Sequence, residues 1–279
     1  MQGVWFSEAQ SANLGFSCRV KSVLHKEKTD FQDLLVLDTE TFDRMLVLDG
    51  AIQTTIVDEF AYHEMISMVA VNSHPVPNRV LVIGGGDGGA IREIIRHPKV
   101  NKASLVEIDE RVVECAKKYL PEISVALNNE KVEVLIEDGI KHIKEKSNYY
   151  DVVIVDSTDP IGPAVGLFNK DFYGAIFRAL KDDGIMVAQT ESPWFNKDLI
   201  RRVFSDIKGI FPIAKLYIAN VPTYPSGMWS FTIGSKVYDP EKVSVNQIPD
   251  TGTKYYSQDT HFAVFKLPPF VKALLEQEV

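Results

Sequence analysis

Six residues, Gly84-Gly85-Gly86-Asp87-Gly88-Gly89, narrow the folds open to this chain more than any other stretch. They follow Arg79-Val80-Leu81-Val82-Ile83, a short apolar run of the kind buried in a parallel sheet. They precede residues 90–96, whose apolar positions have helical spacing. A glycine-rich turn between strand and helix brings backbone N–H groups up against a ligand. Asp87 is the unusual member. A carboxylate inside such a turn repels a phosphate and attracts a cation, so the turn predicts a positively charged ligand.

The surroundings of the turn set the fold class. Beyond the proline pair of His74-Pro75-Val76-Pro77, strands are predicted over 79–83, 103–108, 132–136, 151–156 and 184–190. Helices are predicted between them over 90–96, 110–120, 140–146 and 171–180. This alternation predicts an α/β fold, a mostly parallel twisted sheet with helices on both faces. The chain up to about Val57 reads as β, with strands over 31–38, 44–50 and 51–57 and a hairpin signal at Asp49-Gly50. A helix follows over 60–71. The expected division is a small N-terminal β domain (1–57), a connecting helix and linker (58–77) and a Rossmann-like catalytic domain (78–279).

Ligands of such sheets bind outside the carboxyl ends of the strands. Asp87, Glu107, Asp109, Asp138, Asp156 and Asp159 all fall at or just beyond strand ends, so all six are expected to face one crevice. The competing reading is that strand-end acids cap the helices that follow. The formal charge of −8 disfavours nucleic acid and agrees with a cationic substrate. No apolar run reaches the length of a membrane span, and the N-terminus lacks a basic-then-apolar export pattern. Cys18 and Cys115, the only two cysteines, are far apart. They suit a reduced cytoplasmic setting, with Cys115 as a small core residue. No metal-ligand spacing is present, and no metal is expected.

Three further segments carry chemistry. Gly84, Gly86 and Gly89 fit G-x-G-x-x-G, and Glu107 falls where such domains put the acid that accepts from ribose hydroxyls. Glu137-Asp138-Gly139 suits an acceptor for an adenine amine, although Asp138 also reads as a helix N-cap. Asp156-Ser157-Thr158-Asp159-Pro160-Ile161-Gly162-Pro163 sets two carboxylates on a proline-stiffened turn, where a diamine would relieve their repulsion. Val221-Pro222-Thr223-Tyr224-Pro225-Ser226-Gly227 projects a phenol, and Tyr62-His63-Glu64 opens a helix with polar groups.

Together these segments resemble the spermidine synthase family of aminopropyltransferases. The matching pieces are Phe31-Gln32-Asp33, residues 46–53, Tyr62-His63-Glu64, the glycine turn, Val106-Glu107-Ile108-Asp109, Glu137-Asp138-Gly139, DSTDPIGP and PTYPSG. They run in the family's order over nearly the whole chain. The resemblance implies a methyltransferase-like Rossmann domain behind a small β domain, assembled as a homodimer or homotetramer. It also implies transfer of an aminopropyl group from decarboxylated S-adenosylmethionine to putrescine, giving spermidine and methylthioadenosine.

In that reading Gln32, Glu107, Asp138, Gly139 and Pro163 contact the nucleoside. Asp87 holds the ammonium left by decarboxylation. Asp156 accepts the proton of the attacking amine, and Asp159 holds the far ammonium or helps to orient the near one. Tyr62 and Tyr224 tune the amine, and Gln53 and His63 line the acceptor channel. Trp229 either shortens that channel or packs in the core. Rival readings are an N-methyltransferase, a polyamine-binding regulator and an NAD-linked dehydrogenase. Against the first, an ordinary methyltransferase puts an acid just before the glycine turn, where this chain has Val82.

Overall fold

The computed structural model describes residues 3–160 and 162–276. Five antiparallel strands come first and pair in chain order: β1 (Val4–Ser11), β2 (Leu14–Lys28), β3 (Asp33–Thr39), β4 (Asp43–Leu48) and β5 (Ala51–Thr55). Asp49 and Gly50, both at positive φ, form the turn between β4 and β5. Phe31 and Gln32 lie in the β2–β3 turn rather than in a strand, with the Gln32 carbonyl accepting from Thr29 N–H at 2.9 Å. No apolar pattern announces β1 and β2, because each buries a single residue fully, Glu8 in β1 and Cys18 in β2.

Helix α1 (Glu59–Ser73) follows and is buried at every position except Phe60. An all-round buried helix needs its polar groups met from outside. Glu64 does this by accepting the backbone N–H groups of Lys254, Tyr255 and Tyr256 at 2.8, 2.7 and 2.9 Å, which fastens the C-terminal segment to α1.

The second sheet then builds as β6 (Arg79–Gly84), α2 (Gly89–Arg96), β7 (Lys102–Glu107), α3 (Glu110–Tyr119), α4 (Pro121–Ser124), β8 (Val132–Ile136), α5 (Gly139–Lys144), β9 (Tyr150–Asp156), α6 (Lys170–Ala179) and β10 (Leu180–Gln189). Its closing elements are α7 (Lys197–Lys208), β11 (Ile213–Asn220) and β12 (Met228–Ser235), with α8 (Gln258–Ala263) and α9 (Pro269–Glu276) at the end. The strand order is β11-β12-β10-β9-β6-β7-β8. Strands β6 to β10 are parallel, and β12 joins β10 antiparallel. Strand β10 starts earlier than its apolar run because an irregularity lies between Leu180 and Ile185.

Alternate residues of each central strand face opposite cores. On one face Val80, Val82, Val152 and Ile154 meet Met65, Ile66, Ile91 and Ile94 of α1 and α2. On the other, Leu81, Ile83, Val153 and Val155 meet Ile143, Phe172, Ile176 and Val203 of α5, α6 and α7. Fully burying one such side chain stabilises a fold by roughly 1.5–3 kcal/mol, so both faces hold the strand ends rigidly. The strand order reverses between β6 and β9, where Gly84 pairs with Asp156. Among the described residues, no helix is long and apolar enough to cross a membrane.

Candidate active site

A crevice opens at that reversal, as the general rule for open α/β sheets requires. The N-terminal sheet supplies Gln32, Leu46, Leu48 and Gln53 to it, α1 supplies Tyr62 and His63, and the glycine turn supplies Gly84 to Asp87. Glu107, Asp138, Gly139, Asp156, Asp159 and Tyr224 complete the polar lining. The structure therefore brings together the predicted site residues with two exceptions: Asp109, which does not line the crevice, and Pro163, whose side chain lies outside the described residues.

Asp156 is the centre of the arrangement. Tyr62 donates its hydroxyl to Asp156 Oδ1 at 2.6 Å. The buried Oδ2 has no hydrogen-bond partner among the described residues. A Cβ on Gly85, which has φ +66°, would stand 2.5 Å from that Oδ2, so only glycine lets the turn pass this close. Burial first, then the nearby Asp87 carboxylate, raise the Asp156 pKa to about 6. Asp87 itself anchors the turn, with Oδ1 accepting from Gly89 N–H at 2.7 Å.

On the β7 side of the crevice Glu107 is buried. It accepts from Gly86 N–H through Oε2 at 3.2 Å and from Asp109 N–H through Oε1 at 3.0 Å. Burial lifts its pKa to about 7 in spite of those bonds, and hydroxyl donors from a ribose favour the carboxylate there. Asp138 is at once a lining residue and the N-cap of α5, accepting from Ile140 and Lys141 N–H at 2.8 and 3.3 Å. Ile83, Val106, Ile108 and Ile140 make apolar walls fit for a flat base.

Asp109 departs from expectation. It does not line the crevice. Its Oδ1 caps α3 through Arg111 N–H at 3.0 Å, and its Oδ2 accepts from Thr29 Oγ1 at 2.7 Å and Gln32 Nε2 at 2.9 Å. The capping reading holds for this acid, and the side chain also pins the β2–β3 turn so that Gln32 reaches the pocket.

At the other end Tyr224 donates its hydroxyl to the Gln53 carbonyl at 2.6 Å. Its ring centroid lies 5.4 Å from that of Tyr62 and 4.7 Å from that of Trp229. Trp229 does not line the crevice. It is a core residue behind Tyr224, 4% exposed, so it supports the phenol and does not shorten the channel directly.

Two acids at this end escaped the sequence reading. Glu191, buried and at φ +68° just after β10, has its pKa raised well above the ordinary range by burial and by the carboxylate of Asp159. The same strand-end rule that selects the other acids selects Glu191. Glu8 of β1 is also buried and accepts from Ile52 N–H at 3.3 Å. Burial raises its pKa, and Asp159 adds to the effect. An acid in a strand of mostly exposed residues gives no local sign of this placement.

Two clusters away from the crevice bring three metal-ligand types together: His25, Glu27 and Cys115, and His74, Asp151 and Asp183. In the first, Arg111 grips both oxygens of Glu27 at 2.8 Å. In the second, His74 Nδ1 accepts from Val76 N–H at 3.1 Å and Lys181 binds Asp151 at 2.8 Å. These contacts explain both clusters as ion-pair and hydrogen-bond networks.

The chain is similar to known proteins over nearly its whole length. Residues 59–247 match the family model described as "Spermine/spermidine synthase domain", and residues 4–55 match "Spermidine synthase tetramerisation domain". The chain is 57% identical over 273 residues to a polyamine aminopropyltransferase of Caldicellulosiruptor bescii, covering 98% of each chain. It is 58% identical over 276 residues to one of Moorella thermoacetica, covering 99% of this chain and 98% of the relative. Among solved structures it resembles a spermidine synthase in complex with the transition-state analogue AdoDATO, with a TM-score of 0.96, 38% identity and 99% and 96% of the two chains covered. It also resembles the spermidine synthase of Thermotoga maritima, with a TM-score of 0.93, 36% identity and 99% and 95% covered.

Proposed function

The chain belongs to the spermine/spermidine synthase family of aminopropyltransferases, and on that premise we propose that it transfers the aminopropyl group of decarboxylated S-adenosylmethionine to putrescine. The products are spermidine and 5'-methylthioadenosine. One observation carries the reading furthest: the buried Asp156 carboxylate, with Oδ1 held by Tyr62 and Oδ2 unpartnered, stands beside the Asp87 carboxylate of the glycine turn.

The chemistry follows from these groups. The amine nitrogen attacks the methylene beside the sulfonium. The C–N bond forms as the C–S bond breaks, and the electron pair stays on sulfur as neutral methylthioadenosine. The nitrogen gives up a proton, which Asp156 Oδ2 takes. Sulfonium is already a good leaving group, so the protein's task is alignment and proton removal. Asp87 holds the donor's ammonium, Glu107 the ribose hydroxyls, and Asp138 and Gly139 the adenine edge, with Gln32 against the nucleoside and Pro163, by the family resemblance, as a further contact. Tyr62, His63, Gln53 and Tyr224 line the acceptor's path. Asp159, with Glu191 and Glu8 behind it, forms an acidic end for the far ammonium.

A cytoplasmic homodimer or homotetramer is the assembly we propose. The free thiols of Cys18 and Cys115 support the compartment. Val4, Trp5 and Val23 on the outer strands of the N-terminal sheet, 69%, 57% and 59% exposed, support subunit contact there.

Donor choice tests the reading. Intact S-adenosylmethionine carries a carboxylate where the decarboxylated form has none, and Asp87 repels it. Titration calorimetry is expected to give at least tenfold weaker binding for the intact form, the size of one charge-assisted contact of about 1.5–3 kcal/mol. Equal affinity would favour the N-methyltransferase alternative.

A further inference from the structure

Six charged side chains run in single file from the outer side of α2 to the floor of the crevice, and their signs alternate. Arg96 donates to Glu93 Oε2 at 2.8 Å, Arg92 Nε donates to Glu93 Oε1 at 2.7 Å, and Arg92 Nη2 donates to Glu59 Oε2 at 2.7 Å. Glu59 Oε2 then takes His63 Nδ1 at 2.6 Å, and His63 Nε2 lies 3.3 Å from Asp87 Oδ1. Arg96 is the most open to solvent and Arg92 is partly buried; Glu93, Glu59, His63 and Asp87 are all buried.

We propose that Glu59 is a positioning residue for the transfer: through His63 it fixes the Asp87 carboxylate and keeps one positive charge beside Asp87 and Asp156. The inference rests on the roles given above to those two acids.

Both nitrogens of the His63 ring face carboxylate oxygens. Nδ1 is hydrogen-bonded to Glu59 and Nε2 makes an ion-pair contact with Asp87, and a ring set between two carboxylates in this way is favoured as the imidazolium. The groups around it are Glu59 on its own helix, Asp87 in the glycine turn, Arg92 on α2 behind Glu59, and Asp156 at the end of β9 with the Tyr62 hydroxyl upon it. Burial alone would drive the proton off, but Asp87 and Glu59 outweigh it and hold His63 well above the ordinary histidine range. Burial also opposes the charge on Glu59, and His63 and Arg92 overcome it, holding that carboxyl at about 2.

The sequence makes room for the device. A Cβ on Gly89 would overlap the His63 ring, so the last glycine of the turn admits an imidazole. On Asp87, Oδ1 serves both Gly89 N–H and His63, which turns the carboxylate so that Oδ2 is left for a ligand. On Asp156, burial and Asp87 push the pKa up while His63 pulls it down. The imidazolium therefore keeps the proton acceptor ionised near neutral pH.

A packing role for Glu59, clasping α1 to α2 through Arg92 alone, makes a different prediction. Glu59→Gln would then change stability and leave pH behaviour alone. Two measurements separate the readings. First, the protein has six histidines, so ¹⁵N-histidine NMR of the unliganded enzyme, with His63 assigned from His63→Gln, resolves its titration. His63 is expected to stay doubly protonated through pH 8, and a ring that deprotonates below pH 7 overturns the proposal.

Second, Glu59→Gln is expected to move the acid limb of the kcat/KM profile up by about one pH unit, the scale of losing an opposite charge nearby. The same change made in His63→Gln is expected to move it no further, since Glu59 acts through His63. Equal shifts in both backgrounds, or none in either, contradict the proposal. The NMR result needs neither turnover nor a variant with Glu59 changed. Failure of the transferase reading would show separately, as no aminopropylated product from the wild-type enzyme.

Discussion

Asp156→Asn is expected to lower turnover by about 10²–10⁴-fold, the usual contribution of a general base, while methylthioadenosine binds as before. A free aliphatic amine has a pKa of about 10 and reaches the site protonated. It attacks only after losing that proton. Bulk water offers a carboxylate too little driving force for the task. In the crevice, burial and the donor's sulfonium both lower the amine's pKa, and burial raises that of Asp156 to about 6. The two values converge, and transfer becomes feasible.

The sign of the pH dependence follows. With Asp156 as the proposed proton acceptor, activity is expected above about pH 6 and is expected to fall as pH drops through that value. The asparagine variant lacks this acid limb. Steady-state rates across pH at saturating putrescine check both points. Near-normal turnover in Asp156→Asn would make the residue a binding group only.

Asp87→Asn is expected to weaken decarboxylated S-adenosylmethionine by tenfold or more and to leave methylthioadenosine nearly unchanged, because the latter has no ammonium. A hydrogen bond to a charged group contributes about 1.5–3 kcal/mol. The asparagine keeps an oxygen for Gly89 N–H, so the turn survives. The His63 contact loses its charge partner, which adds to the effect on the donor. Parallel calorimetry of the two nucleosides measures the difference, and equal losses would remove Asp87 from the ammonium site.

Much of this site is legible in the chain because strand ends converge. Asp87, Glu107 and Asp156 each fall at or just beyond the end of an apolar run, and a parallel sheet gathers such ends on one rim. Asp109 obeys the same rule and yet faces away, because the first turn of α3 and the β2–β3 turn claim both of its oxygens. Its neighbour Glu107 is the one that points in.

What was not legible depends on distant partners. Glu8 lies in an edge strand whose other residues are largely exposed, and its carboxylate is met by the β5 backbone at Ile52 and by Gln10. Glu59 and His63 are spaced i,i+4, which a helix pattern reveals. Their link to Arg92 joins two helices, and no local pattern shows it. Gly89 illustrates the opposite hazard. It completes a dinucleotide-binding fingerprint in the sequence, but the space it leaves is filled by the His63 ring.

The central claim is the identity of the group moved and of its acceptor. Incubating the purified protein with decarboxylated S-adenosylmethionine and a panel of putrescine, cadaverine, agmatine and spermidine, followed by mass spectrometry, tests it most directly. Spermidine and methylthioadenosine are expected in equal amounts, with putrescine as the preferred acceptor. A methylated amine from S-adenosylmethionine, or consumption of the donor with no aminopropylated amine from any member of the panel, would contradict it.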